Sequence, residues 1–238
     1  MMVTAALYAQ GPTEMVIVPR STAGAMVDAA PSSVRRVLDD AWRGRLGTSY
    51  SPEMTDVVGS AAVVAREQLA EALPRRWTHV QAVAAKARRI TPAVQPPDAD
   101  TLVAAAWLHD IGYAPGIADT GLHALDGARW LKQQGWPERL CSLVAFHSCA
   151  TFEAEERGLA AELLAEFVPE ESPVTDALWH ADMTTGPDGQ DFEVLDRLSE
   201  VRSRYGPDHL VTRFWARAEP TLVAAVRRTE HRLSGQPM

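Results

Sequence analysis

From residue 51 onward, apolar residues return every three or four positions along successive segments, the spacing of helices with one buried face. Ser51-Pro52-Glu53 has the makings of a helix start, with proline just inside and an acid in the first turn. The periodicity predicts a helix from Val57 to Leu73. Pro74 opens a second to about Ile90, ended by Thr91-Pro92. Pro96-Pro97-Asp98 introduces a third through Leu102, Ala106 and Leu108 to Asp110, followed by a loop containing Gly112, Pro115, Gly116 and Gly121. A helix over Leu122 to Gln134 is closed by Gly135, and Pro137 opens another to about Ser148. Further helices fit Leu159 to Phe167, Val174 to Met183, Phe192 to Tyr205, and Asp208 to Leu233, where Pro220 is expected to kink or divide the helix. The first fifty residues differ. Glu14 to Pro19 reads as a short strand, Ser33 to Leu46 as a helix, and Gly44 to Tyr50 as a linker. Residues 1–50 are therefore taken as an appendage and 51–238 as an all-α helical domain.

Composition narrows the function classes. The chain has 238 residues, enough for one domain with an extra segment. Its net charge of −8 disfavours non-specific binding to a nucleic-acid polymer or an anionic membrane. Two cysteines, Cys141 and Cys149, are too few for a disulfide framework or a four-thiolate zinc site, and read as reduced packing residues on one helix. Apolar runs such as Leu102 to Leu108 fall far short of the ~20 residues that span a bilayer. Met1 to Gln10 carries no basic start of a secretory signal. A cytoplasmic location is expected, and a homo-oligomer is left open.

The histidines bring in chemistry. His109-Asp110 ends an apolar helix just before Ile111-Gly112. Neighbouring helical residues point about 100° apart, so the pair flanks an ion rather than gripping it from one face. An Asp carboxylate has two oxygens, which lets Asp110 bridge two ions. His79 lies mid-helix after Pro74, and Asp182 near the end of a downstream helix. Two imidazoles and two carboxylates suit manganese, iron, cobalt, nickel or zinc. His123 and His147, on the two intervening helices, would complete a second ion. His180, His209 and His231 fall outside this pattern and read as ordinary polar residues. Arg75 and Arg76, one turn before His79, and Arg129, after His123, are candidates for binding a phosphate.

The ordered set His79, His109-Asp110 and Asp182, with the string Leu108-His109-Asp110-Ile111-Gly112, resembles the HD-domain superfamily of metal-dependent phosphohydrolases. The stretches His123 to Leu131 and Ala145-Phe146-His147-Ser148 resemble the helices that carry extra histidine ligands in binuclear members, with Ser148 where many have a second consecutive histidine. The resemblance covers roughly residues 55 to 205. It implies an HD-like bundle with one or two divalent ions between helices, hydrolysing a small phosphate ester, a nucleotide among the candidates. Metal-activated water would attack, with Asp110 holding or bridging the ions. Some nucleotidase members have a glutamate soon after the His-Asp pair. Tyr113 and Ala114 stand there, which makes Asp119 the candidate substitute in the same loop. Gly112-Tyr113 is followed by Ala114-Pro115, so the Gly-Tyr-Pro motif of cyclic-dinucleotide phosphodiesterases is absent. The same four histidines and two aspartates also resemble the set in HD-fold di-iron oxygenases, and a regulatory protein with a vestigial site is a third reading.

Overall fold

The computed structural model describes residues 56–206 and 208–235. The strand expected at Glu14 to Pro19, the helix at Ser33 to Leu46 and the linker after it lie outside the described residues. Ten α-helices follow one another: α1 (Val57–Leu69), α2 (Pro74–Arg89), α3 (Ala99–Leu108), α4 (His123–Gln133), α5 (Glu138–Ala145), α6 (Ala150–Arg157), α7 (Ala160–Glu166), α8 (Pro173–Met183), α9 (Val194–Arg204) and α10 (Leu210–Ser234). Among the described residues there is no strand, only an isolated bridge between Thr185 and Asp191. The fold is all-α, as the periodicity implies.

Helix α3 is the axis of the domain. It is apolar on nearly every side, with Leu102 to Ala106 and Leu108 buried, so it has no solvent face and sits inside. Helices α1, α2, α5 and α8 pack on it. Each fully buried leucine, such as Leu102 and Leu108, contributes about 1.5–3 kcal/mol. The packing of α3 carries His109 and Asp110, which follow its last turn, into the interior. Helix α2 starts on Pro74 at its first turn and ends with Lys86, Arg88 and Arg89, cations that complement the helix dipole. A second, smaller core joins Cys149, Met183, Leu198, Leu222 and Val226, and fixes α9 and α10 against the end of α8.

Several element boundaries differ from expectation. Helix α1 stops at Leu69, with Leu73 turning back to pack on the core. Helix α5 ends at Ala145, not near Ser148. Ser148 and Cys149 adopt left-handed backbone angles (φ 46° and 61°), and this break starts a separate helix, α6, where none was expected. Cys141 and Cys149 are free and buried, but on either side of that break rather than on one helix. Pro220 does not divide α10. It is exposed, as is Ala216 one turn before it, so water can reach the carbonyl that the missing N–H leaves unpaired.

Candidate metal centre

Gly112 decides how closely α4 approaches the end of α3. A Cβ at this position would lie 1.9 Å from the His123 carbonyl oxygen and 2.7 Å from the Gly127 nitrogen. Only a glycine permits this contact, and the contact brings His123 up to Asp110. The string after the His-Asp pair is thus a packing device as well as a turn. Asp126 holds the loop leading into α4, accepting hydrogen bonds from the backbone N–H groups of Asp119 and Thr120 and from the Thr120 hydroxyl.

Six side chains meet at this point. Asp110 is shared between two groups. Its Oδ2 lies 3.4 Å from His109 Nε2 and 3.8 Å from His79 Nε2, while its Oδ1 lies 3.5 Å from His123 Nε2 and 3.9 Å from His147 Nε2. Asp182 Oδ1 stands 3.0 Å from His79 Nε2 and 3.7 Å from His109 Nε2. The atoms of His79, His109 and Asp182 lie within 4.8 Å of one another, as do those of Asp110, His123 and His147. Ligands at about 2.0–2.2 Å from one ion are separated by up to about 4.4 Å, so each group is close to the span of a single coordination shell.

Hydrogen bonding fixes how the rings present themselves. His79 Nδ1 donates to the Gly186 carbonyl (3.0 Å), His109 Nδ1 to Ala106 (2.8 Å) and His147 Nδ1 to Val144 (2.6 Å). With the proton held on Nδ1, a neutral ring turns its Nε2 lone pair into the cluster. There His79 Nε2 meets a carboxylate oxygen at 3.0 Å, and His147 Nε2 lies in hydrogen-bond contact with His123 Nε2, also at 3.0 Å. His109 Nε2 is buried with no hydrogen-bond partner among the described residues. Two carboxylates gathered with four imidazoles at one buried point favour positive charge there, and a mixed nitrogen–oxygen set of this kind suits a divalent transition metal.

Lys86 supports this arrangement from outside. Its buried ammonium donates to the Thr184 hydroxyl (2.8 Å) and carbonyl and pairs with Asp191 (2.8 Å), holding the turn that presents the Gly186 carbonyl to His79. Ser148, placed by the left-handed break, donates to Asp182 Oδ2.

The electrostatics divide the cluster. Burial works against ionising His109, but Asp110 and then Asp182 outweigh it and raise its pKa to about 9. Burial also opposes ionisation of Asp110, and the charges of Arg76 and His109 overcome it, holding the carboxyl well below its usual range. Burial depresses His123 and His147, helped by His147 in the first case and His109 in the second.

The cluster floors a cleft of about 720 Å³. Arg76 reaches into it, donating to Asp110 Oδ2 at 2.7 Å with its guanidinium 4.1 Å from the Tyr113 ring centre. The other face of Tyr113 stacks on His123, with centroids 4.0 Å apart. Arg75 lines the rim, paired with Asp188 at 2.8 Å.

Two proposed residues are not brought to the cleft. Arg129 binds Glu162 and Glu166 on α7. Six residues after His123, it is turned about 120° round α4 from that histidine, so nearness in sequence does not put it on the same face. Asp119 is exposed and outside the cleft, because its backbone, not its side chain, is used to fold the loop. Among the described residues the only cleft carboxyl besides Asp110 and Asp182 is Glu153, on α6. It is buried beside Arg157 (2.6 Å), and burial raises its pKa. Sequence reading missed it because α6 itself was not expected. His180, expected to be an ordinary polar residue, is buried, and its Nδ1 has no partner among the described residues.

The HD domain model matches residues 76–198, more than half of the chain. The protein belongs to the HD-domain family. The match includes all six clustered residues and ends within α9. Neither the curated proteins nor the solved structures contain a match to this chain. No helix among the described residues is long and apolar enough to cross a membrane.

Proposed function

We propose that this HD-domain protein is a metal-dependent phosphohydrolase acting on a small phosphate ester. The observation that carries this reading is Asp110, whose two carboxylate oxygens each face a separate pair of histidines at the floor of an arginine-lined cleft. His79, His109 and Asp182 would hold one divalent ion, and His123 and His147 a second, with Asp110 between them. Bound ions lower the pKa of water towards neutrality and draw charge from the phosphoryl group.

The chain's own residues supply the rest. Arg76 neutralises the phosphate, since its guanidinium already lies in the cleft, stacked on Tyr113 and held against Asp110. The backbone carbonyls of Gly186, Ala106 and Val144 keep three imidazoles in the tautomer that presents Nε2. Glu153 is the carboxyl in the cleft with a raised pKa, and is assigned to proton transfer at the leaving oxygen.

The test is phosphate release from a panel of nucleoside monophosphates and simple phosphate esters, with Mn²⁺, Fe²⁺, Co²⁺, Ni²⁺ or Zn²⁺, in air and under anaerobic conditions. The expected result is metal-dependent release that is equal in both atmospheres. Turnover that consumes dioxygen in proportion to substrate would instead assign oxygenase chemistry to the same six residues.

A further inference from the structure

The cleft extends well beyond the metal cluster, and its far wall comes from a part of the chain outside the family match. The match ends at residue 198, yet Arg204 and Tyr205 at the end of α9, and His209, Phe214 and Trp215 around the start of α10, line the same cleft as Asp110 and Arg76. A volume of about 720 Å³ is far more than a phosphate fills and falls in the range of sites that enclose a whole organic ligand.

The wall has two kinds of surface. One is flat and aromatic. Tyr205 and His209 stack with centroids 4.7 Å apart, and Phe214 and Trp215 lie 4.7 Å apart on the next turn of chain. His209 Nδ1 accepts the Val211 backbone N–H (3.2 Å), which caps α10 and holds this exposed ring against Tyr205. The other surface is cationic. Arg197 and Arg204 share one carboxylate, Glu200, with Arg204 Nε 3.0 Å from it, so two guanidiniums are opposed by a single negative charge. Arg197 is only 9% exposed, and its Nε has no acceptor among the described residues. Both arginines line the cleft with one carboxylate between them, so an anion entering it meets positive charge that Glu200 does not fully offset.

From this we infer that the end of α9 and the start of α10 form a substrate-selecting wall for a phosphate ester whose leaving half is a flat aromatic group bearing a second negative charge. The proposal rests on the phosphohydrolase reading for the reacting end, but the wall is defined by residues that reading does not use. The ring stacks on the aromatic surface. The second anion meets Arg197 and Arg204, whose planar forks suit a carboxylate or phosphate.

The test is calorimetric titration of the full chain, supplied with Mn²⁺, with three phosphonates that a hydrolase does not cleave: 4-(phosphonomethyl)benzoate, benzylphosphonate and methylphosphonate. The expected Kd falls about tenfold from methyl- to benzylphosphonate and about tenfold again when the carboxylate is added. Arg204→Gln, at an exposed position that the fold tolerates, should remove most of the second step, and Trp215→Ala most of the first. Kd values within threefold of one another, no binding of any of the three, or an Arg204→Gln variant that keeps the carboxylate step would each overturn the wall. The two proposals fail separately. The expected ranking without phosphate release from any ester removes the hydrolase and keeps the wall. Phosphate release with equal kcat/KM for aryl and alkyl esters and a flat ranking keeps the hydrolase and removes the wall.

Discussion

The two three-residue groups at the bottom of the cleft use the same residue types, two histidines and an aspartate, in opposite electrostatic settings. His79, His109 and Asp182 come from the middle of α2, the end of α3 and the end of α8, all packed into the main core. Two carboxylates face the two rings there, and His109 is raised to about 9 as a result. Asp110, His123 and His147 come from the end of α3, the first residue of α4 and the turn after α5. There the rings face each other, and burial with imidazole crowding depresses both. The first group is rich in negative charge and rigidly buttressed. The second is poorer in charge and depends on the close approach of α4. Equal composition therefore does not mean equal affinity: the first group should hold a cation more tightly, and the second should empty first.

The largest effect should come from the residue both groups share. Asp110→Asn keeps the shape but removes the shared charge, and elemental analysis of the purified protein should find both ions lost, with phosphate release down by roughly a hundredfold or more. Full metal occupancy in this variant would remove Asp110 from the assignment and end the comparison.

The next test separates the groups. His123→Ala and His147→Ala should each remove one of two ions, and the double variant little more, because residues serving one ion are not additive. Metal-to-protein ratios after dialysis against a weak chelator give the count. Additive partial losses would mean that the second group does not act as a unit.

Gly112→Ala should sharpen the same point without touching a ligand. The added Cβ must push α4 away from the loop, at a cost of about 1–3 kcal/mol in chemical denaturation. The ion lost should be the one that His123→Ala loses, with the group of His79, His109 and Asp182 still filled. Loss of both ions equally would show that the second group has no separate dependence on α4.

The smallest effect is expected at Arg129. Its pairs with Glu162 and Glu166 are partly exposed, so Arg129→Ala should cost less than about 1 kcal/mol and leave kcat/KM for phosphate release within twofold. A tenfold loss of kcat/KM would return this residue to the cleft.

The helical nature of the domain and the residues of the cluster were legible in the chain itself, for physical reasons. Helical periodicity is local, and Leu102 to Leu108, apolar on every side, can only be an interior helix that delivers His109 and Asp110 inward. The order of His79, His109-Asp110, His123, His147 and Asp182 on successive helices, with the family resemblance it carries, singled these residues out from His180, His209 and His231. What the chain alone could not decide depends on contacts between distant segments. Pairing of Asp110 Oδ1 with one pair of rings and Oδ2 with another follows from how α2, α4 and α5 lie against α3. The consecutive left-handed residues Ser148 and Cys149 are neither glycine nor asparagine, so no local preference announces them, and with them α6 and Glu153 stayed hidden. Arg129 and Asp119 show the converse: proximity in sequence put them near the site, and the turn of α4 and the capture of the loop by Asp126 took them away. Residue type and period are properties of neighbours along the chain. Which face of one helix meets which loop is settled by packing, and in this protein that packing, through the absence of a side chain at Gly112, brings the two histidine pairs to one carboxylate.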